Sequence, residues 1–436
     1  MKPIRIGVCL LVAFAVLSFG AVEPWGYAIL EIGAAILFLL WGILSIRQRH
    51  ADIHWNWLYL PLLGLGGLGL AQYAFRLSVY PYLTEIDLLK GGAYVLLCFL
   101  TIESIHSTDE VKHFIWFLLI LGFAVSLFGI VQHFTFNGKI YWSIPAPANS
   151  GPFGPYVNRD DFAGFVELVA PLGLAFLFFR AVRREHFTLL LLFTLVPISA
   201  AILSASRGGI IGLFFELLLL AFLARARRIG SKQLVGVAAL TLLAGTFIVW
   251  LGVTTAIQRF EQLTPGEISR DLRVSMFRDT WRIFLDHPVV GTGLGTLIAV
   301  YPRYSSFYIP HTVVDHAHND YLELLADAGA IGGLCLIGFV VLLFWRGLEN
   351  LRSAGRCAHR AIFAGSLAAC SGLLLHSLVD FNLHIPANAL IFLLLAFVAT
   401  SSIEAPQETQ LPPSFETADV VLLPHAVPSA HSAIPR

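Results

Sequence analysis

Apolar residues run along this chain in blocks of about 17 to 21, the length a helix needs to cross ~30 Å of hydrocarbon, with short polar stretches between them. The blocks predict spans over Ile4 to Phe19, Tyr27 to Ile46, Trp57 to Phe75, Leu88 to Ile105, Phe114 to Phe134, Phe162 to Phe179, Phe187 to Leu203, Gly208 to Ala224, Leu234 to Val253, Gly329 to Trp345, Ala361 to Leu378 and Ala387 to Ile403. Hydrophobic character within each is continuous rather than alternating in period two. That excludes a barrel, because backbone in lipid must then satisfy its hydrogen bonds within each helix. The expected fold is all-α, a polytopic transmembrane helix bundle of about 12 spans. Residues 1–253 carry spans 1 to 9, residues 254–328 form a long loop, residues 329–403 carry spans 10 to 12, and residues 404–436 read as a disordered tail rich in Pro, Ser, Thr and Glu.

Composition strengthens the membrane reading: 13% of the residues are charged and 57% hydrophobic, against roughly 25% charged in a soluble domain. Mean hydropathy is +0.76. Lys and Arg give the orientation, since basic short loops stay cytoplasmic. With the N-terminus inside, sixteen fall in inner short loops and five (Arg76, Lys90, Lys139, Arg159 and Arg207) in outer ones, so both ends are expected in the cytoplasm and the long loop outside. The first span also has a basic start with Ser18 and Gly20 at cleavage-like positions, but an uncleaved first helix is expected in so polytopic a chain. The five cysteines lack metal or redox spacing and read as packing residues. A net charge of zero gives no electrostatic case for nucleic acid. Gly291-Thr292-Gly293-Leu294-Gly295 has the wrong spacing for a phosphate loop and reads as a turn.

The unusual polar residues gather on the outer side, from four places. Asn158-Arg159-Asp160-Asp161 enters the sixth span, with Glu167 two turns inside; Arg159 is its local candidate partner, and the corner reads either as a cap with a buried ion pair or as a ligand site. Ser204-Ala205-Ser206-Arg207-Gly208-Gly209 is a short turn in which Ser206 can cap the next helix, placing Arg207 where helix amides and a guanidinium fork both suit phosphate. Ser269 to Asp286 predicts an amphipathic helix with Leu272, Met276, Phe277, Thr280, Ile283 and Phe284 on the apolar stripe and Asp271, Arg278, Asp279, Arg282 and Asp286 on the wet side. Arg273 falls within the apolar stripe, either snorkelling or meeting a buried anion.

The fourth place is Asp315-His316-Ala317-His318-Asn319-Asp320-Tyr321-Leu322-Glu323. Asp320 and Glu323 resemble a capping pair that opens a helix, leaving His316 and His318 just before its positive end, where imidazole tends to stay neutral. His318 is the candidate base. Metal ligation by His311, Asp315, His316, His318 and Asp320 is the rival chemical reading, with a spacing that fits no usual zinc signature, and a structural histidine cluster is the other. No cofactor is expected.

These residues resemble the O-antigen ligase and polymerase superfamily of bacterial envelope glycosyltransferases. Its histidine signature is met by His318, Asn319, Gly329 and Gly332, and further stretches resemble it at Phe19 to Trp25, Tyr156 to Gly164, Ser206 to Gly209, His287 to Gly295 and His376 to His384. The resemblance implies a multi-pass enzyme of the inner membrane with its site on the periplasmic face. It would move a glycan from an undecaprenyl diphosphate donor to an acceptor hydroxyl, with inversion and without a metal. It assigns Arg207 and Arg273 to the diphosphate and His318 to the acceptor hydroxyl; Asn158, Arg159, His316, Asn319 and Asp320 complete the expected substrate-binding set. Phe277 stands where members often carry Trp, and Asp160-Asp161 where Asn-His is common. Ligase-type transfer to a lipid A core comes first, because the signature fits the ligase pattern in full; a polymerase acting on a glycan acceptor or a protein O-oligosaccharyltransferase comes next. A transporter is the reading from another class, but it predicts internal repeats and polar groups at the midplane, and the sequence shows neither.

Overall fold

A computed structural model describes residues 1–48, 53–147, 150–225, 272–307 and 313–403. Thirteen α-helices stand among them: α1 (Lys2–Leu17), α2 (Pro24–Gln48), α3 (Tyr59–Ala74), α4 (Pro81–Ser104), α5 (Thr108–Phe134), α6 (Arg159–Phe178), α7 (Phe187–Ser204), α8 (Arg207–Arg225), α9 (Leu272–Asp286), α10 (Leu297–Val300), α11 (Asp320–Ser353), α12 (Cys357–His376) and α13 (Pro386–Thr400). Among the described residues the strands are β1 (Lys139–Ile140) and β2 (Ile144–Pro145), a minimal antiparallel pair. The protein is an all-α helix bundle.

Among the described residues seven helices are long and apolar enough to cross a membrane: α2, α5, α6, α7 with the turn before it, α8, α11 and α12. The expected count of twelve is not established. α1 and α3 have 16 residues each and α13 has 15, while α4 carries Glu85, Asp87 and Lys90 in its N-terminal half. The expected ninth span, residues 234–253, and the tail, residues 404–436, lie outside the described residues. So do His311 and the first three positions of the expected amphipathic helix, which is described from Leu272.

α6 is the centre of the bundle. Its membrane-length window is wholly buried, and α12, four-fifths buried, packs along it, with α5, α7 and α8 around the pair. Lipid is as apolar as leucine, so helices in a membrane associate by close packing of small residues rather than by hydrophobic expulsion. That is how this pair meets: a β-carbon at Gly365 of α12 would stand 3.0 Å from Ala175 and 3.2 Å from the Leu172 backbone of α6. Outward faces bear exposed Leu39, Ile46, Phe214, Phe222, Leu334 and Ile337, the side that lipid would cover.

α11 is interrupted near its start. Gly329 adopts φ 60°, ψ −161°, which breaks the helical ladder and leaves backbone groups on both sides needing partners. The segment 288–293 supplies them. Thr292 and Gly293 N–H groups donate to the Ala326 and Asp327 carbonyls (both 2.9 Å), and Ala330 and Ile331 N–H groups donate to the Pro288 and Val289 carbonyls (2.8 and 3.3 Å). The Gln72 amide from α3 closes the joint, donating to Val290 and Asp327 carbonyls (2.6 and 2.9 Å) and accepting from Leu294 N–H (3.1 Å). Backbones approach so closely here that a methyl on Gly329 would overlap the Val289 carbonyl group, and one on Gly291, itself at φ 72°, the Asp327 carbonyl group.

Gly329→Ala is therefore expected to destabilise the protein by about 1–3 kcal/mol or more, from strain at positive φ and loss of the backbone joint. Gly66→Ala on α3, where an added methyl meets nothing within 4 Å, should leave stability unchanged or slightly raised. Thermal unfolding of the two detergent-solubilised variants makes the comparison, and equal midpoints would contradict this account of the joint.

Candidate functional site

The break tilts the start of α11 against the connection between α12 and α13, and the candidate site forms there. Asn319, in extended conformation, caps α11 by accepting from Tyr321 and Leu322 N–H groups (3.0 and 2.9 Å), and its own amide donates to the Leu378 carbonyl (2.8 Å). The cap is thus Asn319, not the expected Asp320. Asp320 instead begins the helix and turns its carboxylate across to Leu383 N–H (3.0 Å) and His384 Nδ1 (2.6 Å). Glu323 reaches back past the cap, accepting from Ala317 N–H (2.8 Å) and pairing with His316 Nδ1 (2.9 Å). These ties hold loop 313–319 in a shape that puts His318 at φ 52°, a conformation uncommon outside glycine.

His318 is a quarter exposed, and its Nδ1 lies 3.1 Å from Asp380 Oδ1. An ionised Asp380 accepts a hydrogen bond from Nδ1–H, which leaves Nε2 as the accepting nitrogen of the neutral ring. Asp380 also accepts from Phe381 N–H (3.0 Å) and faces His376 Nε2 at 3.9 Å, while His376 Nδ1 meets Glu167 Oε2 at 3.1 Å. Burial alone would raise the Asp380 pKa; the His318 hydrogen bond and the positive charge of His376, His318 and Arg273 outweigh it and hold the carboxyl below its usual value. Glu167 therefore pairs with His376 rather than with Arg159, the partner expected from local sequence. Arg159 opens α6 eight residues earlier, about 12 Å up the axis, whereas His376 ends the neighbouring helix. Gly208 and Gly212 of α8 face this pair, for a β-carbon on the first would overlap the His376 ring and on the second the Glu167 carboxylate.

Arg207 and Arg273 line one cavity of about 220 Å³ with Arg159, Asp160, Gly208, His376 and Asp380. Arg207 is the first residue of α8, whose N-terminus Ser206 caps through Gly209 N–H (3.2 Å) as expected. Arg273 leaves α9 toward the Val379 carbonyl (3.4 Å) and Asp160 (3.9 Å), so it meets an anion rather than snorkelling. The wet side of α9 needs one correction. Asp279 is fully buried, accepting from Ser306 N–H and Oγ (both 2.8 Å) and from Tyr301 hydroxyl (3.3 Å), because the segment after α10 folds over it.

A second cavity, of about 1300 Å³, runs along α3, α4 and α13 with a largely apolar lining; its polar lining includes Glu85, Asp87 and Lys90 of α4 as well as Asn158, Asp161, His316, Asp320, Glu323 and His384. His316 stacks on Phe381 (centroids 4.5 Å apart, planes at 19°). Burial disfavours a charged ring at His384, yet the Glu323 and Asp320 carboxylates outweigh it and push its pKa up to about 10. His318 lines neither cavity but touches a wall of each, through Asp380 on the smaller and Phe381 on the larger (centroids 4.9 Å). Of the expected substrate-binding residues, Arg159 faces the smaller cavity and Asn158, His316 and Asp320 the larger; Asn158 also caps α6 through Asp160 N–H (3.0 Å). Asn319 faces neither and works as the α11 cap.

With this geometry in place, residues 187–337 match the family described as O-antigen ligase. The chain carries an O-antigen ligase domain. That family comprises lipid-linked glycan transfer enzymes, ligases and polymerases, and the apolar helices make the chain that carries this domain a multi-pass membrane protein. No curated protein matches the chain. Arg207, Arg273, His316, His318 and Glu323 lie inside the matched ligase segment, whereas Arg159, Glu167, His376, Asp380 and His384 lie outside it. Sequence reasoning missed Asp380, His376 and His384 as site residues. Their signal lies in His376-Ser377-Leu378-Val379-Asp380-Phe381-Asn382-Leu383-His384, a stretch whose spacing names no partner for any of the three.

The lowered pKa of Asp380 sets a pH dependence for the protein's fold. Its ionised form stabilises fully above the unfolded-state value of about 3.9, and the contribution disappears as pH falls through the lower folded value. Asp380→Asn should therefore lose stability at neutral pH, on the order of 1–3 kcal/mol, and show a shallower decline below pH ~4 than wild type. Acid titration followed by circular dichroism tests this; superimposable curves would argue against an ionised Asp380.

Proposed function

We propose that the protein transfers a glycan from a polyprenyl diphosphate carrier to an acceptor hydroxyl at the periplasmic face of the inner membrane. The observation that carries this reading is the sharing of one cavity by Arg207, Arg273 and Asp380, with His318 hydrogen-bonded to Asp380 at 3.1 Å. An arginine-lined cavity at a helix N-terminus suits a diphosphate, whose oxygens accept bidentate guanidinium bonds. A histidine held by a carboxylate in its wall suits proton abstraction.

In this mechanism the acceptor hydroxyl gives its proton to His318 Nε2 as its oxygen bonds to the anomeric carbon. The bond from that carbon to the diphosphate oxygen breaks, and the lipid diphosphate leaves with the electron pair. Arg207 and Arg273, with Arg159 beside them, stabilise the growing negative charge, an effect strongest in a partly dry site. Asp380 stabilises the imidazolium that forms and keeps the ring in the productive tautomer. A single displacement inverts the anomeric centre. The larger cavity, with a largely apolar lining that also carries polar and charged groups, suits an amphiphilic acceptor. Ligase-type transfer is the first reading on the full histidine signature, with a polymerase or a protein O-oligosaccharyltransferase as the other members that use the same chemistry.

Incubating purified protein with lipid-linked oligosaccharide and candidate acceptors, then weighing the product, tests the reading. His318→Ala is expected to lose ~10²–10⁴ in rate and Arg207→Ala or Arg273→Ala ~10²–10³, with helicity and thermal midpoint retained. Wild-type turnover by folded His318→Ala or Arg207→Ala would refute the assignment.

A further inference from the structure

Three side chains to which this mechanism gives no reactive role converge at the wall of the larger cavity. One ligand atom each of His316, Glu323 and His384 lie within 4.8 Å of one another, and Glu323 Oε1 is 2.9 Å from His316 Nδ1 and 3.3 Å from His384 Nε2. They come from three segments of chain: the loop before α11, the first turn of α11, and the short turn before α13. Two imidazole nitrogens and one carboxylate oxygen form a donor set used by zinc in open sites, where bonds of about 2.0–2.2 Å give tetrahedral ligand-to-ligand edges of about 3.4 Å.

We propose that His316, Glu323 and His384 bind one divalent transition-metal ion, zinc fitting the donor set best, independently of whether the transfer reading is correct. The surroundings are those of a ligand set rather than of a chance cluster. His384 turns its other ring nitrogen to Asp320 Oδ1 at 2.6 Å, the outer carboxylate that metal-bound histidines ordinarily have. Glu323 commits its second oxygen to Ala317 N–H, which fixes the first toward the histidines. His316 is oriented by its stack on Phe381 and is a quarter exposed. Glu323 and Asp320, both buried, bring two negative charges that a dication neutralises, and the cavity leaves an open face for water or a substrate oxygen.

None of the three ligands lines the arginine-bearing cavity, so the ion would not act on the diphosphate. It would pin together the segments that bracket His318 and Asp380, a positioning role. This site differs from the metal reading considered from sequence spacing. Of that set only His316 is a ligand, Asp320 moves to the outer shell, and His318 Nδ1 is taken by Asp380.

The test uses full-length protein in detergent, in a Cys357→Ser background because that thiol is exposed, stripped with chelator and titrated with zinc chloride. Elemental analysis after desalting should give one zinc per chain, with a raised thermal midpoint. His384→Gln and Glu323→Gln should each abolish stoichiometric retention, and Asp320→Asn should weaken zinc binding by about 10–100-fold. Should the first two fail to fold, His316→Gln gives the same reading, since its zinc-free thermal midpoint is expected to match the parent's. No zinc retained by the parent, or equal retention by parent and folded ligand variants, would overturn the proposal; in that case a proton on His384, shared between Asp320 and Glu323, holds the cluster.

Discussion

Backbone polar groups removed from water must find partners, and the interruption of α11 at Gly329 is where that constraint shapes this molecule. A helix broken inside a bundle exposes carbonyls above the break and N–H groups below it, each costly to leave unpaired. Segment 288–293 satisfies both sets at once, which anchors the chain between α9 and α11 to the membrane-spanning framework. The joint lets the first turn of α11 lean on the α12–α13 connection, and both polar clusters follow from that contact.

The two clusters solve opposite electrostatic problems. In the smaller cavity, three arginines and the α8 N-terminus gather positive potential suited to an anion, while Asp380 and Asp160 keep the cavity from being a bare cluster of like charges. Among the charged groups lining the larger cavity, carboxylates predominate and histidines supply the compensating hydrogen bonds. His318 sits in the partition, bonded on one side and in ring contact on the other. Under the proposed transfer reaction, a base between a cation-lined cavity and an acid-lined one could serve two substrates of different charge, a donor and an acceptor that meet only at the reacting atoms.

Small residues decide how close these groups come. Gly208 and Gly212 allow the His376 ring and the Glu167 carboxylate to press against α8, and Gly365 draws α12 onto α6. The series His318, Asp380, His376 and Glu167, hydrogen-bonded at its two ends and joined by a 3.9 Å charge contact between Asp380 and His376, therefore passes from a loop into the most buried of the described helices. Rigidity there serves orientation, because each ring has its tautomer and plane set by the neighbour behind it.

By itself the sequence determined the helix class, most of the long apolar spans and the Ser206 cap, and it singled out Arg207, Arg273 and His318 as the residues for the proposed chemistry. Those follow from local rules, namely apolar run length, cap chemistry and the rarity of charge beside lipid. What sequence spacing left open was who pairs with whom. Asp380 lies 62 residues beyond His318 and His376 lies 209 beyond Glu167, and Asp320 was read as a cap because Asn319 and Asp320 are equally good capping residues in isolation. Asp279, polar by projection, is buried because a segment distant in sequence covers it. Only the tertiary structure decided these matters, since helix packing and the α11 break bring together groups that no local period connects.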